Sequence, residues 1–233
     1  MTPPGVALVT GSSKGIGRHL AEHLVRAGYR VVGCSRKEAN WTLDGYEHRV
    51  ADVGVESEVV ALVDGIRRRH GGLSILVNNA GVASMNSLLL TPGETIERIV
   101  RTNFVGAVFA ARESAKAMLP ARFGRIVNLT SVAVPLALEG EAVYAASKSA
   151  VETFTKILAR ELGPSGITVN AVGPPPVDTD LIRGVPSEKL DALVARLAIR
   201  RRATPDEVAR VVDFFIAPDN GGVTGQVVYL GGP

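Results

Sequence analysis

The stretch VALVTGSSKGIGRHLAEHLVRAG, residues 6–28, decides the fold. It opens on a short apolar run, Val6–Thr10, and crosses Gly11, Gly15 and Gly17. It then continues as the amphipathic pattern Ile16–Ala27. This reads as a strand, a tight turn and a helix that begins at the turn. Glycines there allow a sharp reversal and let a pyrophosphate approach the backbone, where the helix N-terminus offers N–H groups and a favourable dipole. A plain strand–helix turn also uses glycine, and the spacing is G-x-x-x-G-x-G rather than G-x-G-x-x-G. Both readings stay open on this stretch alone.

The same alternation runs outward to the end of the chain. Strands are expected at Val6–Thr10, Arg30–Cys34, Glu47–Ala51, Ser74–Asn78, Arg125–Thr130, Ile167–Ala171 and Gln226–Leu230. Helices are expected at Ile16–Ala27, Glu56–His70, Glu94–Leu119, Glu141–Leu162 and Pro205–Ala217. Runs such as ILVNN (75–79), RIVNLT (125–130) and ITVNAV (167–172) are apolar at nearly every inner position, as in strands covered on both faces. Strand–helix alternation throughout implies a parallel sheet with helices on both sides. No linker, repeat or low-complexity tract divides the 233 residues, so a single domain, 1–233, is expected. Residues 173–203 differ: a Pro/Gly stretch and a polar helical segment read as an insertion over the sheet edge rather than a second domain.

Composition narrows the class. The chain is 46% hydrophobic and 21% charged, a globular balance. No apolar run reaches the ~18–20 residues of a membrane span, and the first residues lack a secretory pattern. Cys34 is the only cysteine, which excludes an internal disulfide and a thiolate cluster. A cytoplasmic protein without a membrane partner is expected. The net charge is +3, with arginine runs at IRRRH (66–70) and IRRRA (199–203). No nucleic-acid module accompanies them, so they read as solvated helix faces or subunit contacts, and no nucleic-acid partner is expected.

A second stretch carries chemistry. GEAVYAASKSAVETF (140–154) is helical in character, and Tyr144 and Lys148, four residues apart, share one face. A free phenol has a pKa of about 10, and a nearby ammonium stabilises its phenolate. Lys148 is therefore expected to lower the pKa of Tyr144. Alone, Y-x-x-x-K arises by accident on many helices. Ser131, thirteen residues before Tyr144, ends the strand GRIVNLTS.

These pieces combine with TGSSKGIG (10–17), DV (52–53), NNAG (78–81), Asn103 in RTNFVG, NLTS (128–131), YAASK (144–148), ITVNAV (167–172) and TGQVVYLGG (224–232). In this order and spacing the chain resembles the short-chain dehydrogenase/reductase family over essentially its whole length. It is most similar to the 3-oxoacyl-carrier-protein reductase branch and related ketoreductases. The resemblance implies a Rossmann-type, doubly wound, seven-stranded parallel sheet with helices on both faces. It implies a nicotinamide-dependent reduction of a ketone to a secondary alcohol. Ser131 would hydrogen-bond the carbonyl, Tyr144 would donate the proton, Lys148 would hold the nicotinamide ribose, and Asn103 would hold a relay water. Gly11, Ser13, Lys14, Gly15, Ile16 and Gly17 would line the dinucleotide, Asp52 and Val53 its adenine, and Asn79, Ala80 and Gly81 its underside. Pro174, Val177 and Thr179 would cover the nicotinamide.

Charge points to NADP(H). The second strand ends VVGCSRK, with Ser35 where NAD users of the family carry an acid. A 2′-phosphate carries about −1.5 to −2 charge and would be repelled by a carboxylate; Arg36 offers it a planar fork, and Lys14 a second cation.

There are departures. Pro175 stands in GPPPVDT where the family has glycine, and proline fixes φ and lacks an N–H. Arg122 matches one of two basic residues that meet acidic carrier protein; Ser165 replaces the other. The mouth, AVPLALEGEAV (133–143), suits a mainly apolar ketone, carrier-bound or free. The other reading is a dinucleotide-binding sensor or complex subunit with little catalysis. Apolar residues on more than one face of Glu94–Leu119 (Val105, Val108, Phe109, Met118) and of Glu141–Leu162 (Val151, Phe154, Ile157, Leu158) predict a homo-oligomer; the resemblance implies that these helices pair between subunits, with GQVVYLGGP (225–233) as the other contact of a homotetramer.

Overall fold

All seven predicted strands form and pair into one sheet. They are β1 (Val6–Thr10), β2 (Arg30–Ser35), β3 (Tyr46–Val50), β4 (Ile75–Asn78), β5 (Gly124–Leu129), β6 (Ile167–Gly173) and β7 (Val227–Tyr229). Every pairing is parallel, in the order β3-β2-β1-β4-β5-β6-β7. The computed structural model describes residues 5–179 and 187–233. Val9 lies opposite Gly33 on one side and Val77 on the other, and Val77 lies opposite Val127. The strand order reverses between β1 and β4, which opens a crevice at their carboxyl ends, where sheets of this kind bind ligands.

The period of two sorts the strands between two cores. Leu8, Val32, Leu76, Ile126, Ile167 and Val169 face α2 (Glu56–His70), α4 (Gly106–Met118) and α6 (Ala142–Leu162). Ala7, Val9, Val31, Val77, Val127 and Val172 face α1 (Gly15–Arg26) and α8 (Pro205–Ile216). In α1 the buried residues Gly17, Leu20, Ala21 and Leu24 make a single stripe. Thr204 starts α8 with a reciprocal capping box to Glu207.

One expected helix is broken. The segment read as Glu94–Leu119 is α3 (Gly93–Val100), a π-helical turn at Arg101–Val105, and α4. Asn103 sits in that wide turn. A short helix, α5 (Ala133–Leu136), was not expected, because a single turn in a Pro-containing loop has no periodicity to read. The polar helical segment is α7 (Ser187–Ala195); residues 180–186 of the same insertion lie outside the described residues.

The arginine runs are partly neutralised within the chain. Arg67 pairs with Asp64, Arg69 with Glu47, Arg201 with Glu207 and Arg202 with Asp178. No helix among the described residues is long and apolar enough to cross a membrane.

Candidate active site

The glycine turn is held from below. Asn79 donates from Nδ2 to the carbonyls of Thr10 (2.9 Å) and Gly11 (3.2 Å). The backbone N–H groups of Asn79 and Ala80 both reach Thr10 Oγ1. A Cβ on Gly17 would lie 2.3 Å from both Gly11 O and Asn79 Nδ2, so only glycine lets α1 start this close. Gly11 and Gly15 have φ of +69° and +59°, the left-handed region that favours glycine. Lys14, the residue before α1, has extended backbone and no side-chain cap bond, and the first turn carries no acid. The free N–H groups of α1 therefore meet the crevice unopposed, which fits a pyrophosphate. Ser13 and Ile16 flank this turn, and Ile16 reaches the cavity beyond it.

At the end of β2, a chain of hydrogen bonds joins three strands. Ser12 Oγ lies 2.8 Å from Tyr46 Oη, and Tyr46 Oη lies 2.7 Å from His48 Nδ1. His48 Nε2 is 3.0 Å from the Lys37 carbonyl, which can only accept. His48 therefore donates from Nε2. Ser35 Oγ donates to the same carbonyl at 2.6 Å. Trp41 stacks on Tyr46 at 4.0 Å, and Arg18 lies over Trp41. The turn carrying Arg36 is thus tied to the glycine turn, with the Arg36 side chain exposed. Asp52 accepts from the Gly54 N–H, and Val53 packs into the space that Gly106 leaves free. Tyr46 and His48 had no motif to announce them, since their role depends on side chains that meet across 34 residues.

Ser131, Tyr144 and Lys148 converge on one cavity of about 430 Å³, which Asn79, Gly81, Pro174, Val177 and Thr179 also line. The hydroxyl of Ser131 faces that of Tyr144 closely enough to favour its phenolate. Lys148 is buried and donates to the Leu129 carbonyl at 2.7 Å; burial holds its ammonium down to about 8. Its Nζ lies 6.0 Å from the centre of the Tyr144 ring. The expected lowering of the Tyr144 pKa is not what the protein alone shows. Burial pushes that phenol up to about 12 against the Ser131 hydroxyl, and the charge of Glu141 raises it further. Burial disfavours the charged form of both partners, and the Lys148 proton is spent on a backbone carbonyl.

Asn103 is pinned. Its Oδ1 accepts from the Val82 N–H (2.8 Å), and its Nδ2 donates to Val82 O (2.9 Å) and Ser147 Oγ (3.0 Å). Ser147 in turn donates to the Tyr144 carbonyl. A Cβ on Gly81 would lie 3.4 Å from both Asn103 Oδ1 and Lys148 Nζ, so these two groups approach one point.

The proline run leaves β6 fully buried. The carbonyl of Pro174 accepts from Val132 N–H at 3.3 Å and that of Pro176 from Ala203 N–H at 3.1 Å. Val177 bridges to Ala203, and Thr179 stands against Gly15. Arg122, exposed, donates to Pro164 O at 2.8 Å, beside Ser165. Glu141, placed in the apolar mouth by the sequence reading, lines the cavity itself.

Residues 11–232 match a family model described as enoyl-(acyl carrier protein) reductase. The 3-oxoacyl-[acyl-carrier-protein] reductases of Vibrio cholerae and Pseudomonas aeruginosa are 34% and 35% identical, over 97% of this chain and 96% of each relative. A variant of actinorhodin polyketide ketoreductase, solved with NADPH, superposes with a TM-score of 0.88 at 35% identity, covering 98% of this chain and 96% of that one. Ligand-free aldohexose dehydrogenase of Thermoplasma acidophilum superposes at 0.89 with 30% identity, over 97% and 92% of the two chains. On the strand order, the glycine turn and these matches over nearly its full length, the chain belongs to the short-chain dehydrogenase/reductase family.

Proposed function

We propose that this oxidoreductase reduces a ketone to a secondary alcohol with NADPH, using Tyr144 as the general acid. The observation that carries the reading is the convergence of Ser131, Tyr144 and Lys148 on one cavity beside the glycine turn. The glycine turn, Asn79–Gly81 and the Pro174–Thr179 segment would hold the dinucleotide. When bound, a reduced nicotinamide supplies the hydride.

The chain's own residues do the rest. Ser131 donates to the carbonyl oxygen and stabilises the charge that develops there. Tyr144 hands that oxygen its proton, so ketone, NADPH and one proton give alcohol and NADP⁺. A phenol held up at about 12 stays protonated at neutral pH and is loaded for donation. The phenolate left behind sits beside Lys148, whose ammonium limits the cost of that charge. Asn103 positions the Tyr144 turn through Ser147 and, by our reading, holds the water through which Lys148 is reprotonated. Arg36 selects the 2′-phosphate, with Lys14 nearby.

The named relatives support a carrier-bound or free 3-oxoacyl substrate as one candidate class. Arg122, engaged with Pro164 O, would still present its guanidinium to an acidic partner. Cys34 is buried with its thiol pushed up to about 12 by burial, an inert form suited to the cytoplasm.

The test is NADPH oxidation with a panel of ketones and 3-oxoacyl thioesters. The parent should turn over at least one class. Tyr144→Phe should lose about 10²–10⁴ in rate while still binding NADPH. Turnover of the variant within about tenfold of the parent would remove Tyr144 as the acid. NADPH binding without turnover of any carbonyl would favour a sensor.

A further inference from the structure

Three acids are buried among the described residues: Glu113, Glu141 and Glu152. Glu113 is held by Arg112 and Lys116, and Glu152 accepts from the hydroxyls of Thr130 and Tyr229. Glu141 is 9% exposed, and its carboxyl makes no hydrogen bond or ion pair among the described residues. It precedes α6 without capping it. Its backbone is satisfied, since the N–H reaches Leu138 O and the carbonyl accepts from Ala145 N–H. Only the side chain is left over. It lines the cavity that holds Ser131 and Tyr144, and burial raises its pKa. Buried polar groups almost always have partners. One that faces a substrate cavity without any is arranged to meet a ligand.

We propose that Glu141 determines specificity by hydrogen-bonding a hydroxyl carried one or two carbons from the reacting carbonyl, so that the preferred substrates are hydroxyketones. The inference rests on the ketone-reduction reading and narrows its substrate class. Glu141 stands three residues before Tyr144, and such pairs at the start of a helix lie about 5–6 Å apart at Cβ. A group bonded to Glu141 therefore sits close to the oxygen bonded to Tyr144. The charge of Glu141 is felt at the Tyr144 hydroxyl, which agrees with this closeness. A hydroxyl donates to the carboxylate and accepts from the acid, so it satisfies Glu141 in either state. An ammonium would meet Lys148 and Lys189, which line the same cavity. Ser84 and Asn86, joined by a hydrogen bond from Asn86 Nδ2 to Ser84 Oγ at 3.2 Å, add polar surface to the mouth.

The experiment compares kcat/KM for hydroxyacetone, acetone and aminoacetone in the parent, Glu141→Leu and Glu141→Gln. The parent should prefer hydroxyacetone to acetone by about tenfold or more, the worth of one good hydrogen bond. Glu141→Leu should erase that ratio, mainly through KM, and Glu141→Gln should keep part of it, because an amide still bonds a hydroxyl. An unchanged ratio in Glu141→Leu, or aminoacetone preferred over hydroxyacetone, overturns the proposal. Calorimetric titration of hydroxyacetone into the NADP⁺-loaded protein separates the two levels. Glu141-dependent binding without turnover of any ketone keeps this proposal and removes the reductase reading. Active reduction with no dependence on Glu141 does the reverse.

Discussion

Glu141 and Arg36 are single residues whose surroundings set opposite expectations. The Glu141 carboxyl has no partner among the described residues, and its burial disfavours the charged form. Its folded pKa is raised by burial, so the folded state binds more protons than the unfolded one above the unfolded value of 4.5. Stability from this site is therefore present at low pH and lost as pH rises through the folded value. Glu141→Leu should raise Tm, by about 2–4 °C for each kcal/mol relieved, and the gain should be larger at pH 8 than at pH 4.5. A gain that is flat with pH, or a loss, would show that the carboxyl has a partner in solution. Arg36, exposed beside the Ser35–Lys37 turn, has no such internal role. Arg36→Asp should move preference toward NADH by about tenfold or more, since a carboxylate repels the 2′-phosphate and accepts from a 2′-hydroxyl. Competitive titration of the two cofactors measures it, and an unchanged affinity ratio would make Arg36 a plain surface charge. The helix repeat puts Tyr144 and Lys148 on one face in the sequence, and the family resemblance, not periodicity, joined Ser131 to them. Glu141 and His48 were not legible there, because what matters is the partner each has or lacks across the fold. The rise of the Tyr144 pKa in the protein alone was not legible for the same reason: spacing shows a neighbour but not its burial.

The elements that carry these residues were legible wherever periodicity is long. α2 begins and ends where its pattern does, and β1 matches in full. The break at Arg101–Val105 was not legible, since an apolar helical pattern continues through it. It leaves Asn103 with both amide hydrogens pointed at Val82 and Ser147 rather than out of a regular helix. The segment after β6 shows the other limit. The prolines lose nothing here by lacking N–H groups, because the carbonyls of Pro174 and Pro176 are the groups used, toward Val132 and Ala203. Pro175 itself packs toward Gly231. Its ring is thus compatible with the native backbone, and proline at such a site is worth about 0.4–1 kcal/mol through the unfolded chain. Pro175→Gly should lower Tm by a few degrees at most (about 1–4 °C). It should leave kcat unchanged or higher, since a looser cover opens faster where product release limits turnover. Thermal melts and steady-state kinetics on one preparation decide it: a variant of equal or greater stability, or one with a much lower kcat, would mean that the ring does more than stiffen.

At the scale of the whole molecule, the outward faces of α4 and α6 remain to be covered. Two of the residues that the sequence placed there belong elsewhere: Met118 and Val151 are fully buried in the chain's own core. What is left is still an apolar strip. Phe104 meets Phe154 edge to face at 6.3 Å. Phe109, Phe154 and Leu158 pack in part against the chain's own core, Val105 and Val108 are half-buried, and Ile157 is 53% exposed. One stripe is enough to seat a helix on its sheet, so a second, outward strip on two neighbouring helices calls for a partner surface. We propose that a second copy of the chain supplies it, self-complementary about a two-fold axis. A second contact through β7 and the C-terminal residues would turn such a dimer into a tetramer. Val227, Val228 and Leu230 are half-buried there, while Tyr229 is tied inward to Glu152. Light scattering at micromolar concentration should therefore give four times the chain mass. Ile157→Glu should lower that mass by placing a charge at the centre of the first contact, while Val228→Glu should stop assembly at the dimer. A monomeric mass for the parent would refute the assembly, and a parent tetramer that survives Ile157→Glu would move the contact off α6.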